Sequence, residues 1–223
     1  MMNELLEKLA VCVEMGKINK STPYPPQLAG QDGADELAKL ALERGISPDD
    51  ILHKACVVGM HKIGERFKRN EVFVPQLLIA ARAMTSVMNH LKPFFDSGAI
   101  KTQGTFVIGT VTGDLHDIGK NLVGMVIGGA GWKVIDLGVD VPVQKFLDAV
   151  AANSGCVVGV SALLTTTMTA MDQTVKAIKQ QYPQTKVLVG GAPVSAEFAS
   201  QIGADFYSAD PQGAVEYLNA MSA

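Results

Sequence analysis

Apolar positions along this chain follow a helical period up to about residue 95 and then change to short apolar runs separated by helical segments. In the first region Glu4 to Met15 places Leu5, Leu6, Leu9 and Val13 on one stripe, and the proline-rich stretch Ser21-Thr22-Pro23-Tyr24-Pro25-Pro26-Gln27 breaks it. Asp35 to Glu43 reads as a short helix closed by Gly45. Ser47-Pro48 then supplies an N-cap and a first-turn proline for a long helix from Asp49 to about Arg69. Pro75 opens another, running to about Leu91. Four or so helices make a small bundle over residues 1–95. Its expected terminator is the stretch from Lys92-Pro93 to Gln103, with 96–103 as the linker and Gly98 as a hinge inside it.

From Gly104 onward the pattern predicts five βα units. Strands are expected at 105–111, 133–137, 157–161 and 186–189, with a weak one near 205–207. Helices are expected at about 119–130, 143–152, 166–182, 194–201 and from about 211. Continuous apolar runs such as Cys156-Val157-Val158-Gly159-Val160 suit a parallel sheet covered on both faces. The expected fold over 104–223 is therefore a doubly wound α/β domain, flavodoxin-like or Rossmann-like, with strand order 2-1-3-4-5. In that order the loops after strands 1 and 3 meet where the winding reverses, which is where such sheets bind ligands.

Composition narrows the partners. The 223 residues are 48% hydrophobic and 18% charged, enough for a proper core. A net charge of −3, from 19 basic and 22 acidic residues without long runs, leaves no electrostatic footprint for nucleic acid or an anionic membrane. The N-terminus MMNELLEKLA lacks the apolar core of a signal peptide, and no stretch approaches the roughly 18 apolar residues of a membrane span. Three widely spaced cysteines, Cys12, Cys56 and Cys156, form no C-x-x-C pair, so the expectation is a cytoplasmic protein without structural zinc.

The chemistry is concentrated in the loop after the first strand, Gly113-Asp114-Leu115-His116-Asp117-Ile118-Gly119, and in Ser161 to Thr167 after the third. Dinucleotide binding wants G-x-G-x-x-G at the first turn. The glycines here do not fit that spacing, and Asp114 and Asp117 would repel a pyrophosphate, although Asp136 could serve as the ribose-binding acid. A phospho-acceptor receiver needs an aspartate at the end of strand 3, where the chain has Val160-Ser161-Ala162. Metal ligation by His116 remains, with Asp114 two residues earlier to orient the ring. One histidine is too few for a protein-only zinc site and sufficient for a metal already held by a macrocycle. The plainer reading is that His116 caps the helix or bonds to backbone.

Asp114-x-His116-x-x-Gly119, followed by Ser161-x-Leu163 and Gly190-Gly191, resembles the signature of cobalamin-binding domains that hold the cofactor base-off and His-on. The resemblance covers nearly the whole chain. Gly59-Met60-x-x-Ile63-Gly64-x-x-Phe67 and Phe73-Val74-Pro75-Gln76 are similar to the four-helix cap that precedes this module in methionine synthase and in small corrinoid proteins of methyltransferase systems.

The resemblance implies that His116 replaces dimethylbenzimidazole as the lower cobalt ligand, with Asp114 on its distal nitrogen and the Thr167 hydroxyl completing the relay where methionine synthase has serine. Gly113, Leu115, Asp117 and Gly119 belong to the same binding loop, Asp117 without an assigned role. Ser161, Leu163 and Thr165 would line the channel for the displaced nucleotide tail. Gly190 and Gly191 would let the tail run close to the backbone, and the Tyr207-Ser208-Ala209 segment, Ala209 included, would contact the base. Phe67, Val74 and Leu77 would shield the upper face of the corrin. His53 stands where methionine synthase has a glutamate against the cofactor, a departure from the pattern.

Each also has an ordinary reading: bundle core for Phe67, Val74 and Leu77, a plain βα turn for the glycines, first-turn helix positions for Lys120 and Asn121, core filler for Met60, Met84 and Met88. The implied function is a methyl carrier cycling between cobalt(I) and methylcobalt(III). Its implied partners are a substrate-specific corrinoid methyltransferase, an acceptor methyltransferase that uses tetrahydrofolate or coenzyme M, and a reductive activation protein. A cobalamin sensor and a cobalamin-dependent mutase small subunit are the alternatives. Methylamines, glycine betaine, methanol and aryl methyl ethers are all open as donors.

Overall fold

The computed structural model describes residues 2–100 and 102–222. The chain divides into two compact units, Met1–Thr102 with Gly129–Gly131, and Gln103–Gly128 with Trp132–Ala223.

The first unit is helical. Helix α1 (Met2–Met15) buries Leu5, Leu6, Leu9, Ala10, Cys12 and Val13, the predicted stripe with its flanks. Helix α2 (Ala34–Glu43) buries Leu37, Ala38 and Ala41. The expected long helix is present in three parts: α3 (Pro48–Ile51), a wider π turn over Leu52–Cys56, and α4 (Val57–Lys68). Ser47 caps its start, the hydroxyl accepting from the Asp50 amide at 3.0 Å. Helix α4 comes very close to α1. A Cβ at Gly59 would sit 2.6 Å from the Ala10 carbonyl oxygen and 2.8 Å from Val13 Cβ, so only glycine permits this approach.

Helix α5 (Val74–Asp96) corrects the expected boundary, since it continues past Leu91 and through Lys92-Pro93. Pro93 is exposed and costs the helix one amide donor near its end, too little to stop it. The stop is Gly98, at φ 75°, whose amide donates to Phe95 O at 3.0 Å while that of Ala99 donates to Phe94 O at 2.9 Å. Gly98, inside the expected linker, is the left-handed residue that closes this helix. The proline-rich break is also ordered. Lys17 is fully buried with Nζ donating to Thr22 O at 2.5 Å, and the Asn19 side-chain oxygen accepts from the Thr22 amide at 3.0 Å and from the Ser21 and Thr22 hydroxyls, each at 2.8 Å.

The second unit is the expected α/β domain. Strands β1 (Thr105–Thr110), β2 (Lys133–Asp136), β3 (Val157–Ser161), β4 (Lys186–Gly190) and β5 (Phe206–Tyr207) form one parallel sheet in the order β2-β1-β3-β4-β5. Helices α6 (Ile118–Gly129), α7 (Val143–Ala152), α8 (Met168–Gln181), α9 (Ala196–Ile202) and α10 (Pro211–Ser222) follow the strands in turn. Val107, Val158, Val160, Val187 and Val189 of the central strands form one core with Phe146, Val150, Met171, Val175 and Ile178 of α7 and α8. Strand β1 ends one residue sooner than expected, and Val111 makes a lone bridge to Val141 instead. Because β1 has β2 on one side and β3 on the other, the chain's winding reverses here, and the loops after β1 and β3 open side by side.

Candidate functional site

Pairing of β1 with β3 brings the two loops together. Thr110 lies opposite Ser161, and the Val111 amide donates to Ser161 O at 3.1 Å. Gly113, at φ 82°, then turns the chain so that Asp114 points inward and becomes fully buried. Its Oδ1 accepts from the His116 amide at 3.1 Å and lies 2.8 Å from His116 Nδ1. Its Oδ2 accepts from the Leu163 amide at 2.7 Å, the Leu164 amide at 3.4 Å and the Thr167 hydroxyl at 2.8 Å. Thr167 Oγ1 is also 2.9 Å from Leu164 O, so its one proton is shared between two acceptors.

Burial opposes ionisation of Asp114, but the donors from Leu163, His116 and Thr167 outweigh it and hold the carboxyl well below the usual carboxylate range. An ionised carboxylate only accepts, so the proton between the two residues belongs to His116 Nδ1. In the neutral imidazole Nε2 is then the nitrogen that carries the free lone pair. The His116 side chain is half exposed, and no hydrogen bond to Nε2 is formed among the described residues. The loop backbone is fixed by the Thr110 hydroxyl donating to His116 O at 2.9 Å.

The two loops expose several large apolar side chains. Leu115 is 73% exposed and Ile118 68%, on either side of His116, while Leu163 and Leu164, whose amides hold Asp114, are each 41% exposed. Such large exposed apolar side chains at one loop cluster mark a binding surface.

The other expected residues fall as follows. Ser161, Gly190 and Gly191 lie at the ends of neighbouring strands, and Thr165 is exposed in the short turn before α8. Gly191, at φ 132°, is demanded by the chain itself, because a Cβ there would lie 1.7 Å from Ala162 O; a Cβ on Gly190 would be a milder crowding, 3.0 Å from Ser208 O. A Cβ on Gly119, by contrast, would meet nothing within 4 Å. Ala209 is exposed beyond β5.

Asp117 gains a role: its carbonyl accepts from the Asn121 amide at 2.7 Å and its carboxylate from the Asn121 side chain at 3.0 Å, which fixes the start of α6, where an acid also suits the helix dipole. In the helical unit Phe67 is half-buried, Val74 is exposed, and Leu77 is buried at 1% within that unit's core. His53 sits in the π turn with Nε2 3.5 Å from Asp49.

Three features escaped the sequence pattern. The backbone amides of Leu163 and Leu164 carry no signal in residue type. Lys120 is a first-turn helix residue, but its side chain is buried and its ammonium bonds Asp136 Oδ2 and Asn121 Oδ1, both at 2.5 Å. Asp136, the candidate ribose acid, is committed to that pair. Asp140 bonds into the loop from the β2–α7 turn.

The arrangement offers one half-exposed imidazole, backed by a buried carboxylate, in loops that also expose Leu115, Ile118, Leu163 and Leu164. Among the described residues no group of three or more His, Cys, Asp or Glu side chains could hold a metal ion, and the single imidazole fits a metal that arrives already held in a macrocycle. Fold and site thus define a macrocycle-binding α/β domain preceded by a helical unit.

Comparison with known proteins gives the same class. The B12 binding domain family model matches residues 104–216, and a second B12 binding domain model matches residues 30–92. The chain is 40% identical over 191 residues to the trimethylamine corrinoid protein of Methanosarcina barkeri, covering 84% of this chain and 88% of that one. It is 38% identical over 173 residues to the dimethylamine corrinoid protein of the same organism, covering 76% and 81%. Among solved structures it resembles a chain of the methanol:cobalamin methyltransferase complex MtaBC of M. barkeri, with a TM-score of 0.81 and 30% identity over 98% of this chain and 80% of that one. A cobalamin-binding protein from Desulfitobacterium hafniense DCB-2 matches with a TM-score of 0.71 and 30% identity, over 99% and 98%. The chain belongs to the B12-binding family, as a corrinoid protein of methyltransferase systems. No helix among the described residues is long and apolar enough to cross a membrane.

Proposed function

We propose that this protein holds its corrinoid base-off, with His116 Nε2 as the lower cobalt ligand, and carries a methyl group between two methyltransferases. The observation that carries the reading is the orientation of His116: Nδ1 is tied to a buried carboxylate at 2.8 Å, and Nε2 belongs to a half-exposed ring with no hydrogen bond among the described residues. When bound, the cobalt supplies a centre that can accept and release the methyl group.

The chain's own residues do the rest. Asp114 fixes the ring and its tautomer, and Thr167 with the Leu163 amide keeps that carboxylate ionised. Nε2 of His116 would hold the cobalt, and Asp114, through Nδ1, would keep the ring in place for it. Ser161, Leu163 and Thr165 on one side and Gly190, Gly191 and Ala209 on the other border the route of the displaced nucleotide tail. Phe67 and Val74 of the helical unit are the residues proposed to shield the upper face of the corrin.

A substrate-specific corrinoid methyltransferase supplies the methyl group, and a second methyltransferase passes it to tetrahydrofolate or a thiol such as coenzyme M. The likeness to the MtaBC chain supports the first partner, and the trimethylamine and dimethylamine corrinoid relatives support methylated amines as the source. Relatives that span both units favour a carrier over a mutase subunit or a sensor.

The test is reconstitution of the apo-protein with methylcobalamin. The expected absorbance is that of a base-off, His-on cofactor, lost in His116→Ala while Asp117→Asn keeps it. Stoichiometric binding with an unchanged spectrum in His116→Ala would overturn the assignment.

A further inference from the structure

We infer that Asp140, in the turn between β2 and α7, is a positioning residue for the loop that carries Asp114 and His116. The inference rests on His116 being the cobalt ligand.

Asp140 grips the loop at two points. Its Oδ1 accepts from the Gly113 amide at 2.8 Å, and its own amide donates to Asp114 O at 3.0 Å. The two peptide groups that flank the segment Gly113-Asp114, one before Gly113 and one after Asp114, are therefore both held by Asp140. That segment determines where the Asp114 carboxylate lies, and the carboxylate must meet the Leu163 amide at 2.7 Å and His116 Nδ1 at 2.8 Å together. A rotation of the segment would satisfy one at the expense of the other.

An aspartate in a turn ordinarily bonds to its own backbone two residues on. Here the carboxylate crosses to a residue 27 positions away. Asp140 also has φ 51°, a left-handed conformation that glycine adopts at no cost and that aspartate tolerates better than most residues. Glycine would satisfy the backbone at this position and would leave the Gly113 amide without its acceptor. Adjacent bonds place the brace: the Val141 amide donates to Thr110 O at 2.9 Å, and the Thr112 hydroxyl donates to Val141 O at 3.0 Å. The turn after β2 is thus stitched along the whole approach to His116, with Asp140 nearest the ligand.

Two variants separate conformation from acceptor. Asp140→Gly keeps the left-handed backbone and removes the carboxylate, whereas Asp140→Asn keeps an acceptor oxygen and the turn. In methylcobalamin-loaded protein, the ratio of His-on to His-off cofactor should fall roughly three- to tenfold in the glycine variant, the effect of one hydrogen bond, and stay near wild type in the asparagine variant. In the apo-protein, amide hydrogen exchange at Gly113 and Leu163 should quicken in Asp140→Gly by a similar factor and not in Asp140→Asn. An unchanged His-on ratio in Asp140→Gly, or an equal loss in Asp140→Asn, overturns the inference. If wild type itself shows no His-on spectrum, the ligation reading fails, and the apo-protein exchange comparison still decides whether Asp140 braces the loop.

Discussion

Asp114→Asn tests the buried relay because the two side chains are nearly isosteric and the environment is all donors. The carboxylate accepts from the His116 amide at 3.1 Å, His116 Nδ1 at 2.8 Å, the Leu163 amide at 2.7 Å and the Thr167 hydroxyl at 2.8 Å. An amide must place NH2 against one of these sets. Turned toward Leu163, it can be accommodated by Thr167, which would accept from it and donate to Leu164 O, but the Leu163 amide loses its acceptor. Turned toward His116, it orphans the His116 amide and forces Nδ1 to accept, which moves the ring proton to Nε2 and blocks ligation. Either way one buried main-chain donor is stranded, at about 1–3 kcal/mol, and the remaining bonds lose their charge assistance, so a total near 3 kcal/mol is expected. The assay is urea unfolding of the apo-protein followed by Trp132 fluorescence. The chain has one tryptophan, and at 7% exposure within the α/β unit it reports that unit's unfolding. A variant within 0.5 kcal/mol of wild type at unchanged slope would refute the relay as described.

Two further perturbations probe the scaffold. Gly191→Ala drives a Cβ to 1.7 Å from Ala162 O at φ 132° and should cost more than about 4 kcal/mol, leaving Trp132 solvent-exposed at pH 7. Gly119→Ala, which meets nothing within 4 Å, should fold as wild type; a folded Gly191→Ala would contradict the geometry. Asp205 accepts from the Val187 amide at 2.8 Å and pairs with Lys186 at 2.9 Å and with Lys179. Burial opposes its ionisation, yet these bonds hold its pKa below the ordinary 3.8. Its stabilisation is then complete above that value and lost as pH falls through the lower folded pKa. Asp205→Asn should cost about 1–3 kcal/mol at pH 7, with the gap to wild type narrowing below pH 4 in urea titrations; a gap that widens on acidification would be incompatible with this.

The sheet was largely legible in the sequence. Runs such as Val157-Val158-Gly159-Val160 report burial on both faces, and the alternation of five strand segments, the last of them weak, with helices leaves few parallel orders. The His116 loop was legible because its residue types are rare in that place. What stayed hidden is carried by backbone or by distance along the chain. The Leu163 amide is a donor whatever its side chain, and Asp140 lies 27 residues from its partner in a turn that looks ordinary. Pro93 misled because proline stops a helix in its interior more reliably than near an exposed end, and the actual stop, Gly98, read equally well as a flexible linker glycine. Gly190 and Gly191 were expected to make room for the nucleotide tail; what a Cβ there would meet in the structure is the protein's own carbonyls.

The central claim is that a protein nitrogen, His116 Nε2, ligates the cobalt. Electron paramagnetic resonance of the loaded protein in the cobalt(II) form measures this directly, because the axial nitrogen splits the signal according to its nuclear spin. Protein labelled with 15N-histidine and loaded with unlabelled cobalamin should change each superhyperfine triplet to a doublet, and His116→Ala should abolish the splitting. A triplet that persists in the labelled protein would mean that the nitrogen comes from the cofactor's own base, and the account would be wrong.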